Sequence, residues 1–116
     1  MTSLHETAYP RLKADVSDHE LAEVYTPSTH ERAFARRHSR TPVARGALLI
    51  LLKTVQRLGY FVNLKTIPRP ITAHILACDD LLHVPLSQLR EYDRNGGVRQ
   101  RMLDAIRQQV GIKAFT

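Results

Sequence analysis

Apolar residues recur along this chain at three- and four-residue intervals, and no stretch alternates in the manner of a long half-buried strand. Six helices follow. Ser17-Asp18-His19-Glu20 reads as a capping box that opens a short helix through Leu21 and Val24. Ser28-Thr29-His30-Glu31 is a second box, opening a helix to about His38 with Ala33, Phe34 and Ala35 on its apolar side and Arg32, Arg36 and Arg37 opposite. Thr41-Pro42 supplies an N-cap and a proline at the first helical position, and Gly59 a left-handed stop after Leu58. Between them Leu48, Leu51, Leu52, Val55 and Leu58 mark one buried face, which Leu49 and Ile50 widen. This helix should be central.

Pro68 and Pro70 open a fourth helix, about Arg69 to Cys78, with Ile71, Ile75 and Cys78 as its stripe. Pro85 starts a short fifth through Leu86, Leu89 and Tyr92. Asn95-Gly96-Gly97 breaks the chain before a last helix, Val98 to Val110, with Val98, Met102, Leu103, Ile106 and Val110 inward. Tyr60–Leu64 is the one place for a short extended piece. Phe115 either packs back on the bundle or leads into a further domain. The expectation is a single all-α domain, a compact bundle of about six helices in a helix-turn-helix-like arrangement. Leu48, Leu51, Leu52 and Val55 should be almost fully buried against Phe34, Ile75, Leu89 and Ile106.

The 116 residues suit one modest core, and 43% hydrophobic content suits a folded chain. Charge adds a second signal. The net charge is +6, and it is unevenly spread. Residues 1–31 carry two basic and six acidic side chains, residues 32–116 fifteen basic and five acidic. That asymmetry points to nucleic acid or another anionic surface. Cys78 is the one cysteine, so no disulfide forms within the chain and a reducing compartment is expected. No secretory signal is visible, and the longest apolar run, Ala47–Leu52, is too short to span a bilayer. A cytoplasmic protein without membrane contact is expected.

Three cationic sets are candidates for gripping phosphate. The first is Arg32, Arg36, Arg37, Arg40 and Arg45, beside the helix start at Pro42. Arginine's planar fork gives bidentate, permanently charged contacts, and a helix N-terminus adds free N–H groups. Arg36, Arg37, Arg40 and Arg45 are expected to form one solvent-open patch without acidic partners. The second set is Lys53, Arg57, Lys65 and Arg69, with Lys53 and Arg57 on the wet side of the long helix. The third is Arg90, Arg94, Arg99, Arg101 and Arg107, where the glycine pair would let backbone approach phosphate near Arg99. It ranks below the first. The plain alternative is a solvated helix face with Glu31 and aspartates as partners for the first set, a loop that only closes the bundle for the second, and an ordinary turn for the third.

Three separated stretches, Leu4–Lys13 (LHETAYPRLK), Phe34–Arg40 (FARRHSR) and Leu48–Phe61 (LLILLKTVQRLGYF), resemble the extreme N-terminal region of Tn3-family transposases in order and spacing. The likeness runs from about Leu4 to Ile112. It implies a helical domain of DUF4158 type that helps bind double-stranded DNA at the terminal inverted repeats of a bacterial element. It also implies no catalysis here, since the parent's DDE-type carboxylates lie far downstream and nothing in this chain corresponds to them. The partners it implies are the transposon ends and the remaining transposase domains. It adds weight to the first cationic set, and the DNA-binding residues expected from the three sets are Arg32, Arg36, Arg37, Arg40, Arg45, Lys53, Arg57, Lys65, Arg69 and Arg99.

Two other classes stay open: a stand-alone DNA-binding regulator derived from a truncated transposase, and a protein-interaction module whose acidic N-terminal third docks on a basic surface. Oligomeric state is left open. His74 and Cys78 stand four apart with His83 following, but no matched pair completes a four-ligand metal site, and Cys78 reads as a small core residue. No cofactor motif, catalytic triad or paired carboxylates stand out. The four tyrosines are too scattered for a base-stacking platform.

Overall fold

The computed structural model describes residues 12–110. Among them are six α-helices: α1 (Asp18–Tyr25), α2 (Thr29–Arg37), α3 (Pro42–Leu58), α4 (Arg69–Cys78), α5 (Leu86–Arg90) and α6 (Gly96–Val110). Two 3-10 turns, Leu64–Thr66 and Glu91–Asp93, join α3 to α4 and α5 to α6. No strand occurs among the described residues. The fold is an all-α bundle wound around α3, which packs against each of the other five helices.

The position of α3 follows from its sequence. Thr41 Oγ1 accepts the Ala44 N–H at 3.1 Å, Pro42 occupies the first turn, and Gly59 closes the helix at φ 85°. Every residue from Gly46 to Val55 is buried, Leu48, Leu49, Leu51 and Leu52 completely. Phe34, Ile75, Leu89 and Ile106 come from four other helices to complete the same core, as expected. A helix buried on all sides is the main store of hydrophobic stabilisation.

Gly46 is required by close approach. A Cβ there would sit 2.9 Å from Leu76 Cδ2 and 3.4 Å from Leu89 Cδ2, so α4 and α5 lean on bare backbone. At the far end of α4 the chain turns through a Schellman motif. Leu81 N–H donates to the Leu76 carbonyl (2.8 Å) and Asp80 N–H to that of Ala77 (3.3 Å). Asp80 takes the left-handed position at φ 57°, where glycine is the usual occupant. The turn folds Leu81 into the core and leaves Asp79 buried at the helix end.

Several expectations are corrected. α6 begins at Gly96 rather than Val98, because the glycine pair enters the first turn instead of breaking it. The Ser28–Glu31 box is complete, whereas for Ser17 the bond found is the Glu20 N–H on its hydroxyl. In α4, Thr72 and Leu76 join Ile71 and Ile75 in the core, and Cys78 is half-buried. Tyr60–Leu64 runs into a 3-10 turn held by Asp93, whose Oδ1 and Oδ2 accept the Leu64 and Lys65 N–H groups at 2.7 and 3.0 Å. Phe115 and the first resembling stretch before Leu12 lie outside the described residues.

Candidate nucleic-acid interface

The first cationic set does not form one free patch. Arg32 and Arg36 lie one turn apart on α2, and both donate to Asp79 Oδ1, at 3.2 and 2.9 Å. Arg45, from the first turn of α3, brings Nε within 3.0 Å of Asp79 Oδ2. Its N–H is not aimed at that oxygen, so the contact is an ion pair by distance without a hydrogen bond. The expectation that Arg36 and Arg45 lack acidic partners is thereby overturned. An isolated buried carboxylate is strongly unfavourable, and Asp79, 2% exposed in its side chain, gathers the nearest cations. Arg37 and Arg40 remain exposed and have no acidic partner among the described residues.

In the second set, Lys53 is not on a wet face. Its side chain is 9% exposed and its Nζ donates to Glu31 Oε1 at 3.0 Å. The same carboxylate accepts the Ser28 N–H at 2.8 Å and Gln56 Nε2 at 2.6 Å. Burial pushes the Glu31 carboxyl up, but bonds from Gln56, Ser28 and Lys53 outweigh it and hold the group below its ordinary value. Arg57 bonds the phenol of buried Tyr25, whose own pKa burial raises while Arg57 opposes the rise. Lys65 and Arg69 are exposed, without acidic partners among the described residues.

In the third set, Arg99 is also committed. It donates to Asp93 Oδ1 (3.3 Å) and to the Val62 carbonyl (3.0 Å), so it ties α6 to the loop after α3 and does not face outward at the glycine pair. Arg94 and Arg101 are different. Both are exposed, without acidic partners among the described residues, and both line open surface together with Arg40.

That surface consists of an open groove of about 1040 Å³ and an adjoining recess of about 400 Å³, which share Thr41, Tyr92 and Val98. One wall is the α2–α3 junction, with Arg40, Thr41 and Val43. The other is the start of α6, with Arg94, Asn95 and Gly96, then Arg101. Residues at the N-termini of two helices, α3 and α6, therefore line one surface, where the partial positive charge of a helix start favours an anion. Glu91 is the acid in the lining. Arg94 ends the 3-10 turn Glu91–Asp93 before α6 begins, and Arg101 lies within α6, so the two reach this surface from different elements.

The whole chain, residues 1–116, matches the family described as DUF4158, a domain of unknown function. The chain belongs to the DUF4158 family. Domains of this family are known from the N-termini of Tn3-family transposases, which agrees with the resemblance carried by the sequence and makes this DUF4158 chain a transposase-associated domain. No curated protein and no solved structure matches it. Among the described residues of this DUF4158 member, no helix is long and apolar enough to cross a membrane, and no three His, Cys, Asp or Glu side chains gather as a metal site.

Proposed function

We propose that this DUF4158 domain binds double-stranded DNA at transposon ends, and that the groove between the α2–α3 junction and α6 receives the phosphate backbone. The observation that carries this reading is the convergence of Arg40, Arg94 and Arg101 on one open groove without acidic partners among the described residues. Arg37, Lys65 and Arg69 are further exposed cations that add to the attraction. Family membership supports DNA as the anion, because a transposase must engage the ends of its element. Phosphate contacts position a domain and carry no sequence information by themselves. Base reading then falls to exposed polar side chains such as Gln100 and Gln108 on α6, Gln100 also donating to Asp104 Oδ1 at 3.0 Å. The domain holds DNA in place and leaves transposition chemistry to other parts of a transposase.

The test is fluorescence anisotropy with an inverted-repeat duplex and a random duplex of equal length over a series of salt concentrations. Binding that weakens steeply with salt, with preference for the repeat, supports the reading. Affinity insensitive to salt, or absent for both duplexes, overturns it in favour of a protein-interaction module.

A further inference from the structure

Three guanidiniums around one carboxylate leave two positive charges unspent. Arg32 commits Nε to Asp79 and Arg36 commits Nη2. A guanidinium has five N–H donors, so the forked end of Arg32 and the Nη1 and Nε edges of Arg36 have donors to give. The side chains are 36% and 54% exposed, so those donors reach solvent. The carboxylate below them is 2% exposed and fixed by the Schellman turn at the end of α4. The neighbouring acid, Glu31, is occupied by Lys53, Gln56 and the Ser28 N–H. A plain ion pair needs one cation for one anion, and this cluster has three.

We infer that Asp79 is a positioning residue, which holds Arg32, Arg36 and Arg45 as a preformed seat for one phosphate group. In the function proposed above, on which this inference rests, that group belongs to the DNA backbone. Long arginine side chains lose rotamer freedom when they grip a ligand, and a buried carboxylate that fixes them beforehand removes part of that cost. The cluster is therefore distinct from the groove, where Arg40, Arg94 and Arg101 have no acid to orient them.

The positioning role predicts a sign that net charge alone does not. Removing an acid from a DNA-binding surface ordinarily strengthens binding. Asp79→Asn should instead weaken it, because the three guanidiniums lose their anchor and repel one another. The salt series is run on the full chain, with thermal melts alongside to identify unfolded material. Since Asp79→Asn can disturb folding, the deciding variant is Arg36→Gln, at an exposed side chain, compared with Arg90→Gln, an exposed cation outside the seat and the groove.

Arg36→Gln is expected to lower the salt slope by about one unit and to weaken binding to both duplexes alike, well beyond Arg90→Gln. Equal effects of these two variants overturn the seat. So does tighter binding by a folded Asp79→Asn. If the parent binds no duplex, the proposed function fails, and inorganic phosphate decides the seat separately. A phosphate-dependent rise in melting temperature that Arg36→Gln abolishes and Arg90→Gln retains upholds it with free phosphate as the source. No such rise overturns it.

Discussion

The cations of α2 and those around the start of α6 look alike in sequence and differ in the folded chain. On α2 and the adjoining turn of α3, Arg32, Arg36 and Arg45 are drawn onto Asp79, and Lys53 onto Glu31. Across the groove, Arg94 and Arg101 are exposed and make no ion pair with an acid among the described residues, although Glu91 shares the lining with Arg94. The difference lies in what was buried beneath them. α2 lies against the central helix and near the end of α4, where carboxylates lost from water need partners. Within α6 the same rule divides the cations: Arg99 is drawn onto the nearly buried Asp93 and Arg107 onto Asp104, whereas Arg101 has no acid to meet among the described residues. A buried acid thus decides whether a cation is tied to the fold or held by nothing but solvent, and where several cations share one acid they keep charge for a partner as well.

Core truncation sets the scale for this comparison. Leu51→Ala should cost about 2–5 kcal/mol, because a completely buried leucine on the all-round buried helix leaves a cavity that its neighbours only partly fill. Chemical denaturation reads the loss. A variant that melts like the parent would mean that polar clasps, not the core, hold the bundle.

Breaking a clasp should come next in size. Glu31→Ala strands buried Lys53 and removes an acceptor from Gln56 and the Ser28 N–H, at a cost of about 2 kcal/mol, reduced by partial exposure of the carboxylate. The pH dependence has a defined sign. The folded Glu31 carboxyl lies below its ordinary value of 4.5, so its stabilisation is present above that value and is lost as pH falls through the folded pKa. Melting midpoints taken downward from neutral pH should fall less in Glu31→Gln than in the parent. A parallel fall in both would remove the clasped status of this pair.

The open cations should behave in the opposite way. Arg40→Ala with Arg101→Ala should leave stability within about 0.5 kcal/mol, as for surface residues without partners, yet lower the DNA salt slope by about two units. Arg45→Ala, by contrast, should lower the melting temperature. If the double variant destabilises the fold and spares binding, the two regions have been assigned the wrong way round. The smallest effect is expected at Asp80, where Asp80→Gly relieves a left-handed conformation and should add about 0.5 kcal/mol or less, partly offset by the extra freedom of the unfolded chain. A clear loss of stability would show that the Asp80 side chain helps to hold the turn.

The fold was legible where its signals are local. α3 could be bounded at both ends because Thr41, Pro42 and Gly59 act on their own neighbours, and its buried face because apolar spacing repeats along one helix. The capping box at Ser28 was legible for the same reason. The clasps were not, since Arg36 and Asp79 are far apart in sequence and meet only after α2, α3 and α4 pack. Lys53 was misplaced because every third or fourth position of an amphipathic helix normally sees water, and α3 is covered on that side too. Arg99 was misplaced because its partners are Asp93, in the 3-10 turn just before α6, and the Val62 carbonyl on the distant loop after α3, and neither turn carries a clear local signature. Arg94 and Arg101 could be ranked only once the groove existed to gather them with Arg40.

Gly46 joins these two themes. It lies one residue from Arg45, at the place where Leu76, three residues before Asp79, presses on α3. A single methyl group added there would act as a wedge, forcing the end of α4 outward at the point where it delivers its carboxylate. Sensitivity to side-chain size at a position that touches no ligand is thus coupled, through a few ångströms of leverage, to the electrostatics of the outer surface.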